Sequence, residues 1–474
     1  MKRVTFLILL FAISIFPSKS QKNVVITVLD KTKGASGLWL YQNPRIWVDG
    51  FSDQKKIGKK IVTTDSTYTI VIDSIMTPQF IDCQWLSDGK LLLITPGDRI
   101  NAIIKFQDNG KSRFNTVFYG KNEANYNSYK DLNAKLNREN ILIKAKSTIS
   151  LNKYIQMIDS VYKVNTSIIK KNKMSSTLRN LMLEEEKARI FQYLNYAVSF
   201  YNEKLTTQDI LRLKSKYFPR KISCEVSLNM VNSEYTSGMR NLNGFLCQNI
   251  KNENRLKSVT DTVRKYFDGE LRDHLLTLNF YSVCARNKNQ RINDSYMDEW
   301  LEIYAGKMKE KIYNEFIQYS IDKYKKLNNP FPENILNEKL ISVADSSVIT
   351  IRELLNKYKG KQIIIDNWAS WCGPCAHEIK ISKNKVLELE KRNNQFIYLS
   401  LDKSSDFKKA KDKALELGII EKAYVVSGSF NSEYAKYLNI TGIPRYIMIN
   451  VNGDIKNLGL IQPSSISNYD NYGE

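Results

Sequence analysis

Two histidines, ten prolines and six cysteines in 474 residues leave little room for several common chemistries. His274 and His377 stand far apart, and Cys224, Cys247 and Cys284 lack tight ligand spacing, so no metal is assigned and no cofactor is expected. Long apolar runs are missing too. Beyond residue 16 nothing approaches the roughly 20 apolar residues that a membrane-crossing helix needs. The peroxidatic pattern Pro-x-x-x-Thr-x-x-Cys is absent, which disfavours peroxide reduction. The formal charge is +22, yet no compact basic run is interleaved with aromatics. Lys and Arg alternate with Asp, Glu and Asn, so the excess reads as solvated surface and no nucleic-acid partner is expected.

What the N-terminus does have is a targeting pattern. Lys2 and Arg3 precede the apolar run Val4 to Phe16, and Ser18 and Ser20 occupy the positions a signal peptidase reads. Residues 1–20 therefore read as a secretory signal, with the mature chain starting near Gln21 and a soluble, periplasmic or otherwise exported location. A retained N-terminal anchor is the alternative. Because Gln21 rather than a cysteine follows the cut, a lipid anchor on that residue is not expected.

The length suits about three domains. From Val24 to Phe118 short apolar segments alternate with turns such as Pro96-Gly97-Asp98, predicting an N-terminal all-β sandwich over 21–120. After Tyr126 Gly and Pro become rare and apolar residues recur every three or four positions. Leu183, Ile190, Phe191, Leu194, Val198 and Tyr201 would line one helix face, and Ile312, Phe316, Ile317 and Tyr324 another, so 121–329 reads as a central all-α domain. Its aromatic stripes are read as core rather than a ligand groove. Asn328-Asn329-Pro330-Phe331-Pro332 breaks the pattern and reads as a linker. The region 330–474 then alternates helices with strands and closes with Tyr446 to Val451 and Ile455 to Leu460 around Asn452-Gly453, an α/β fold with mixed strand directions. Thr350 and Glu353 fit a capping box, and Gly418 a helix stop.

The most specific signal is Trp371-Cys372-Gly373-Pro374-Cys375. Two cysteines at this spacing close a small disulfide ring, so one can attack a foreign disulfide and the other release the product. Gln362 to Asn367 before it is strand-like and Ala376 onward is helical, which places Cys372 at a helix start that favours thiolate. The remaining Cys83, Cys224, Cys247 and Cys284 leave open two disulfides in any of three connectivities, one bridge or none, with the full double pairing the less favoured.

The stretch Ile364 to Cys375 resembles the active-site segment of thioredoxins, and Thr441-Gly442-Ile443-Pro444 resembles their cis-proline loop. The signal peptide, the added segment Ile341 to Tyr358 and the appended domains make the chain similar to the exported TlpA/ResA-like branch. In particular it resembles multi-domain members from Bacteroidetes, on Thr95 to Asp98 and Gly120 to Asn125. The resemblance implies a thioredoxin-like C-terminal fold and a thiol-disulfide oxidoreductase. In it Cys372 is the nucleophile, Cys375 the resolving thiol and Asp366 the buried acid that accepts the Cys375 proton. A strand-end carboxylate in solvent is the competing reading of Asp366. Ile443 and Pro444 would present backbone to a cysteine-containing segment, with Trp371 as a platform and Trp368 as a packing residue. Gly373 and Pro374 suggest a reducing poise. His377 reads as an exposed helix residue.

The chain also departs from the family pattern. Ala376 and Lys380 replace a basic residue and a proline, and Arg445 stands where thioredoxins usually carry Thr. A positive charge at Arg445 would favour thiolate or select an acidic substrate. Fourteen residues follow Leu460, so the last thioredoxin helix is expected to be short or missing, its sheet face covered by another domain, a partner or little at all. The expected partners are a protein substrate with a disulfide or oxidised cysteine, a membrane thiol electron donor, and a second copy in a homodimer. The alternative function is a redox-inactive scaffold that binds an envelope protein or glycan through its front domains.

Overall fold

The structure, a computed structural model, describes residues 23–30, 40–42, 46–48, 51–52, 56–62, 67–73, 75, 78–83, 91–106, 114–126, 132, 135–136, 150–201, 205–224, 233–250, 255–285 and 296–466. The signal-peptide reading of residues 1–20 therefore lies outside the described residues, as does the end of the chain past 466. Among the described residues no helix is long and apolar enough to cross a membrane. The chain divides into two compact units, one drawn from residues 1–46, 53–249 and 262–272, the other from 47–52, 250–261 and 273–474.

In the first unit Val24–Asp30 alternates buried and half-exposed positions, as a strand with one covered face should. It is central in a five-stranded sheet, parallel to Arg99–Phe106 and antiparallel to Thr67–Ile72. A four-stranded sheet contributes Leu40, Ile81 and Leu92 to the same core as Val24, Ile26, Ile70 and Ile100. The β character expected here thus takes the form of small sheets. The two elements singled out in sequence meet: the Asp98 carboxylate accepts from the Thr95 N–H at 2.8 Å and from Asn122 Nδ2 at 2.7 Å.

A helical stretch follows, with Leu151–Lys171, Ser176–Tyr201 and Ser233–Leu246. One apolar face was expected on the second helix. Ile190, Phe191 and Leu194 are buried, but so are Leu178, Met182, Ala188, Tyr193 and Ala197, while Leu183 and Val198 are only half-buried. The physical reason is that this helix packs against the other two at once, which covers more than one stripe. Closest approach comes at Gly238, where an added Cβ would lie 2.2 Å from the Ala188 carbonyl oxygen.

The second unit holds the C-terminal α/β domain. Its elements are β1 (Lys339–Ser342), β2 (Val348–Thr350), α1 (Ile351–Lys357), β3 (Gln362–Trp368), α2 (Gly373–Lys391), β4 (Asn394–Ser400), α3 (Phe407–Leu417), β5 (Ala423–Val426), α4 (Glu433–Tyr437), β6 (Arg445–Ile449) and β7 (Ile455–Leu460). Local chemistry sets their ends. Thr350 and Glu353 form the capping box of α1, Ser432 caps α4, and α3 stops at Gly418 with φ 71°.

The sheet order is β2-β1-β5-β4-β3-β6-β7. β3 runs parallel to β4 and antiparallel to β6, so the sheet is mixed. β3 and β4 are covered on both faces and read as continuous apolar runs for that reason. One face packs under α2 and α3 through Ile364, Phe396 and Met448, and the other under α1 and α4 through Ile365, Ile397 and Ile447.

Two expectations are corrected here. The segment 328–332 is not a free linker: the Asn328 N–H donates to Ile455 O, the Ile455 N–H donates to Asn329 O, and Phe331 is buried in the α1/α4 core. Two prolines end the helix, but the extended backbone they enforce pairs with the start of β7. The sheet face expected to lose its last helix is capped by the chain itself. A short turn, Pro463–Ser465, lies on α2, Lys385 Nζ donates to the Ser464 and Ile466 carbonyls, and Ile466 is buried in the α2/α3 core.

Candidate active site

β3 delivers the site. Its last residues are Asp366, Asn367 and Trp368, and the loop that follows turns directly into α2. Cys372 is the N-cap of that helix and Pro374 sits in its first turn, where the missing N–H costs no helical hydrogen bond. A disulfide joins Cys372 to Cys375. Cys372 is 4 % exposed and Cys375 0 %, so the first cysteine is the one with a path to solvent. The Cys375 N–H points at Cys372 Sγ, 3.2 Å away, and favours negative charge on that sulfur.

The second motif closes over the first. The Ile443-Pro444 peptide bond is cis, and the Ile443 carbonyl oxygen lies 4.0 Å from Cys372 Sγ. Thr441 and Gly442 are exposed and Ile443 and Pro444 half-buried, which leaves the loop backbone accessible beside the sulfur. Trp371 is 63 % exposed and leans on Phe430, with ring centroids 6.3 Å apart. Gly373, Pro374 and His377 are exposed, and Trp368 is buried with Cys375 in the α2/α3 core.

Asp366 is 2 % exposed. Burial pushes its carboxyl up to about 8, a side-chain hydrogen bond with Tyr446 opposes this, and the charge of Glu378 adds to it. Its Oδ1 has no hydrogen-bond partner. The solvated strand-end alternative is therefore excluded, because the side chain is buried. Glu378, also buried, stands one turn after Cys375 on α2, and its carboxylate accepts from the Ser464 N–H at 2.8 Å and the Ser464 hydroxyl at 2.7 Å.

Three further residues hold the frame and carry no local sequence signal. Asp402 accepts from the Ser370 N–H and hydroxyl, both at 2.7 Å, and from the Ser400 hydroxyl at 2.6 Å, pinning the loop before Cys372 to the end of β4. Asn367 donates to the Arg445 carbonyl at 2.9 Å and accepts from the Tyr434 hydroxyl at 2.9 Å, fixing the start of β6 just after the cis-proline. Phe430 supports Trp371. Elsewhere, Cys224 and Cys247 are thiols, so the double pairing of the other four cysteines does not form; the side chains of Cys83 and Cys284 lie outside the described residues.

Residues 351–472 match the Redoxin family model. The C-terminal part of the chain thus matches a redoxin domain, and the disulfide and the cis-proline both fall inside the matched residues. Solved structures similar to this redoxin domain include a proposed thiol-disulfide oxidoreductase from Bacteroides vulgatus, 24 % identical, covering 29 % of this chain and 84 % of that one with a TM-score of 0.24. A thioredoxin-like protein from Porphyromonas gingivalis is 22 % identical, covering 27 % of this chain and 79 % of its own, TM-score 0.23. A thiol:disulfide interchange protein from Chlorobium tepidum is 22 % identical over 27 % of this chain and 81 % of its own, TM-score 0.21. No curated protein matches the chain.

Proposed function

We propose that the protein is an exported, TlpA/ResA-like thiol-disulfide oxidoreductase that reduces disulfides of envelope proteins. The observation that carries the reading is the Cys372–Cys375 pair at a helix start, 4.0 Å from the backbone oxygen that precedes a cis-proline. A scaffold has no chemical need for that combination.

In the reduced protein the Cys372 thiolate attacks one sulfur of the substrate disulfide. A mixed disulfide forms and the first substrate thiolate leaves and is protonated by water. The ionised form of Asp366 takes the proton of Cys375, whose sulfur attacks Cys372 Sγ; the mixed bond breaks, the Cys372–Cys375 bond forms, and the second substrate thiolate leaves and is protonated by water. Two electrons have moved to the substrate. A membrane dithiol donor restores the pair by the reverse exchange. Trp371, Ile443 and Pro444 hold the substrate segment, while Gly373, Pro374 and Arg445 tune the pair. The N-terminal sheets, as a small sandwich, and the helices restrict the substrate or support a homodimer, and the N-terminal pattern around Lys2 to Ser20 directs export.

Substrate trapping tests this. Cys375→Ala, expressed in the native host, should accumulate mixed disulfides through Cys372, and the purified parent protein should reduce insulin. Absence of both sinks the reading in favour of the scaffold.

A further inference from the structure

The second compact unit carries a groove of about 460 Å³, of whose lining the disulfide chemistry above uses Arg445 alone. The Lys311–Lys326 helix supplies one wall with Glu315, Asp322, Lys323 and Lys326, and Lys436 and Arg445 stand across from it. The helix is fastened there: Lys326 Nζ donates to the Tyr437 carbonyl at 2.6 Å and lies over the Tyr437 ring.

Most charged groups of the lining already have a hydrogen-bond or ion-pair partner. Glu315 pairs with Lys311, Asp322 accepts from Gln318, Lys323 donates to the Tyr281 hydroxyl, and Lys436 pairs with Glu433. Arg445 differs. Among the described residues no carboxylate pairs with it, and its Nε is buried without a hydrogen-bond partner. The guanidinium lies against Gly459, where a Cβ would come within 3.4 Å of Nη1, so the glycine leaves the flat group its place. A buried guanidinium nitrogen without an acceptor is costly, and a carboxylate matches its fork with two parallel hydrogen bonds.

Position links this anchor to the chemistry. Arg445 directly follows the cis-proline, two residues past Ile443, whose carbonyl faces Cys372 Sγ. Asn367 holds the Arg445 carbonyl, so this spacing is fixed by the sheet. A polypeptide that lies along the cis-proline loop with its cysteine at Cys372 therefore borders the strand start that carries Arg445.

We propose that the groove is a specificity subsite for a carboxylate side chain of an extended polypeptide, a few residues from the cysteine that reacts at Cys372, with Arg445 as its anion anchor. The assignment rests on the disulfide-reductase reading for its substrate, but not for its measurement.

Two arms separate the possibilities. In the first, the oxidised full-length protein is titrated with labelled peptides in which Ser replaces the reacting cysteine and flanking positions carry either Glu or Gln, read by fluorescence anisotropy. The Glu peptides should bind about tenfold more tightly at low salt, with the gap closing as ionic strength rises. Arg445→Gln should bring the ratio near one, and Lys436→Gln should reduce it by a smaller factor.

In the second arm, the reduced protein acts on disulfide-linked versions of the same peptides. The ratio of kcat/KM between Glu and Gln substrates should follow the binding ratio in each variant, which cancels any general effect of a substitution on exchange. Equal binding of Glu and Gln peptides by the parent, or a preference that survives both substitutions, overturns the subsite. Acidic preference in binding with no reduction of any peptide or of insulin would instead remove the reductase reading and leave the anion groove standing. Competition of free acetate with the Glu peptide at equal affinity would overturn the polypeptide as the occupant.

Discussion

Two buried carboxylate clusters in this chain are built on opposite plans. In the helical stretch Glu185 and Glu186 are buried beside Arg189, whose guanidinium reaches Glu185 at 2.6 Å, Glu186 at 3.8 Å and Glu234 at 3.3 Å, while Asn165 donates to Glu186 at 2.9 Å. In the redoxin domain Asp366 is buried without a cation, with one oxygen unpartnered and a second acid, Glu378, as electrostatic neighbour. The first cluster sets a guanidinium and a neutral amide against its acids, offsets part of their charge and serves packing. The second leaves the charge uncompensated, so the carboxyl holds its proton up to about pH 8 instead. The comparison teaches that buried acid alone does not mark a reactive site, whereas a buried acid without a counter-charge, as at Asp366, is a candidate for one.

The largest effect is expected from breaking the compensated cluster. Arg189→Ala would leave two buried acids facing each other without their cation, and should cost about 3 to 5 kcal/mol in urea or thermal unfolding. Unfolding free energies within about 1 kcal/mol of the parent would mean that the guanidinium is replaceable by water and that the contrast with Asp366 is false.

Asp366→Asn probes the other side and has the opposite sign. An acid whose folded value lies near 8, against 3.8 unfolded, lets the unfolded chain release its proton first, so stability falls as pH rises between those values. The substitution removes that slope. At pH 7 it should stabilise the protein by a few kcal/mol, and near pH 3.5 by almost nothing. The parent should resolve mixed disulfides faster as pH rises through about 8, and the same variant should be slower and lack that rise. A destabilised Asn variant with an unchanged pH profile would remove Asp366 from proton transfer.

Much of the redoxin domain was legible in the chain because its signals are local. A Thr350/Glu353 box, a left-handed Gly418, continuous apolar strands and a Cys-x-x-Cys before a helix are each written within a few residues. What was not legible depends on long-range pairing. Asp402 meets Ser370 from 32 residues away, and nothing around Asp402 announces it. The segment 328–332 reads as a linker because prolines break helices, yet whether extended backbone pairs or dangles depends on β7 more than a hundred residues later. The helical stretch reads as one-faced because periodicity reports a single stripe, whereas Ser176–Tyr201 is packed from two sides. The small N-terminal sheets carried the weakest pattern, and their Asp98 to Asn122 contact is a tertiary fact.

The smallest expected effect lies where the two plans meet. Glu378 is as buried as Glu185, but its compensation comes from neutral donors, the Ser464 N–H and hydroxyl, in the turn that follows β7. Ser464→Ala keeps the backbone donor and deletes the hydroxyl, so the loss should be about 1.5 to 3 kcal/mol, the range for one hydrogen bond to a charged group. If the turn caps the sheet chiefly through Ile466 and Lys385, the disulfide exchange rate should stay within about twofold while stability drops by that amount. A stability loss as large as that of Arg189→Ala would mean that neutral donors were carrying a full charge, and that the line between the two clusters is drawn in the wrong place.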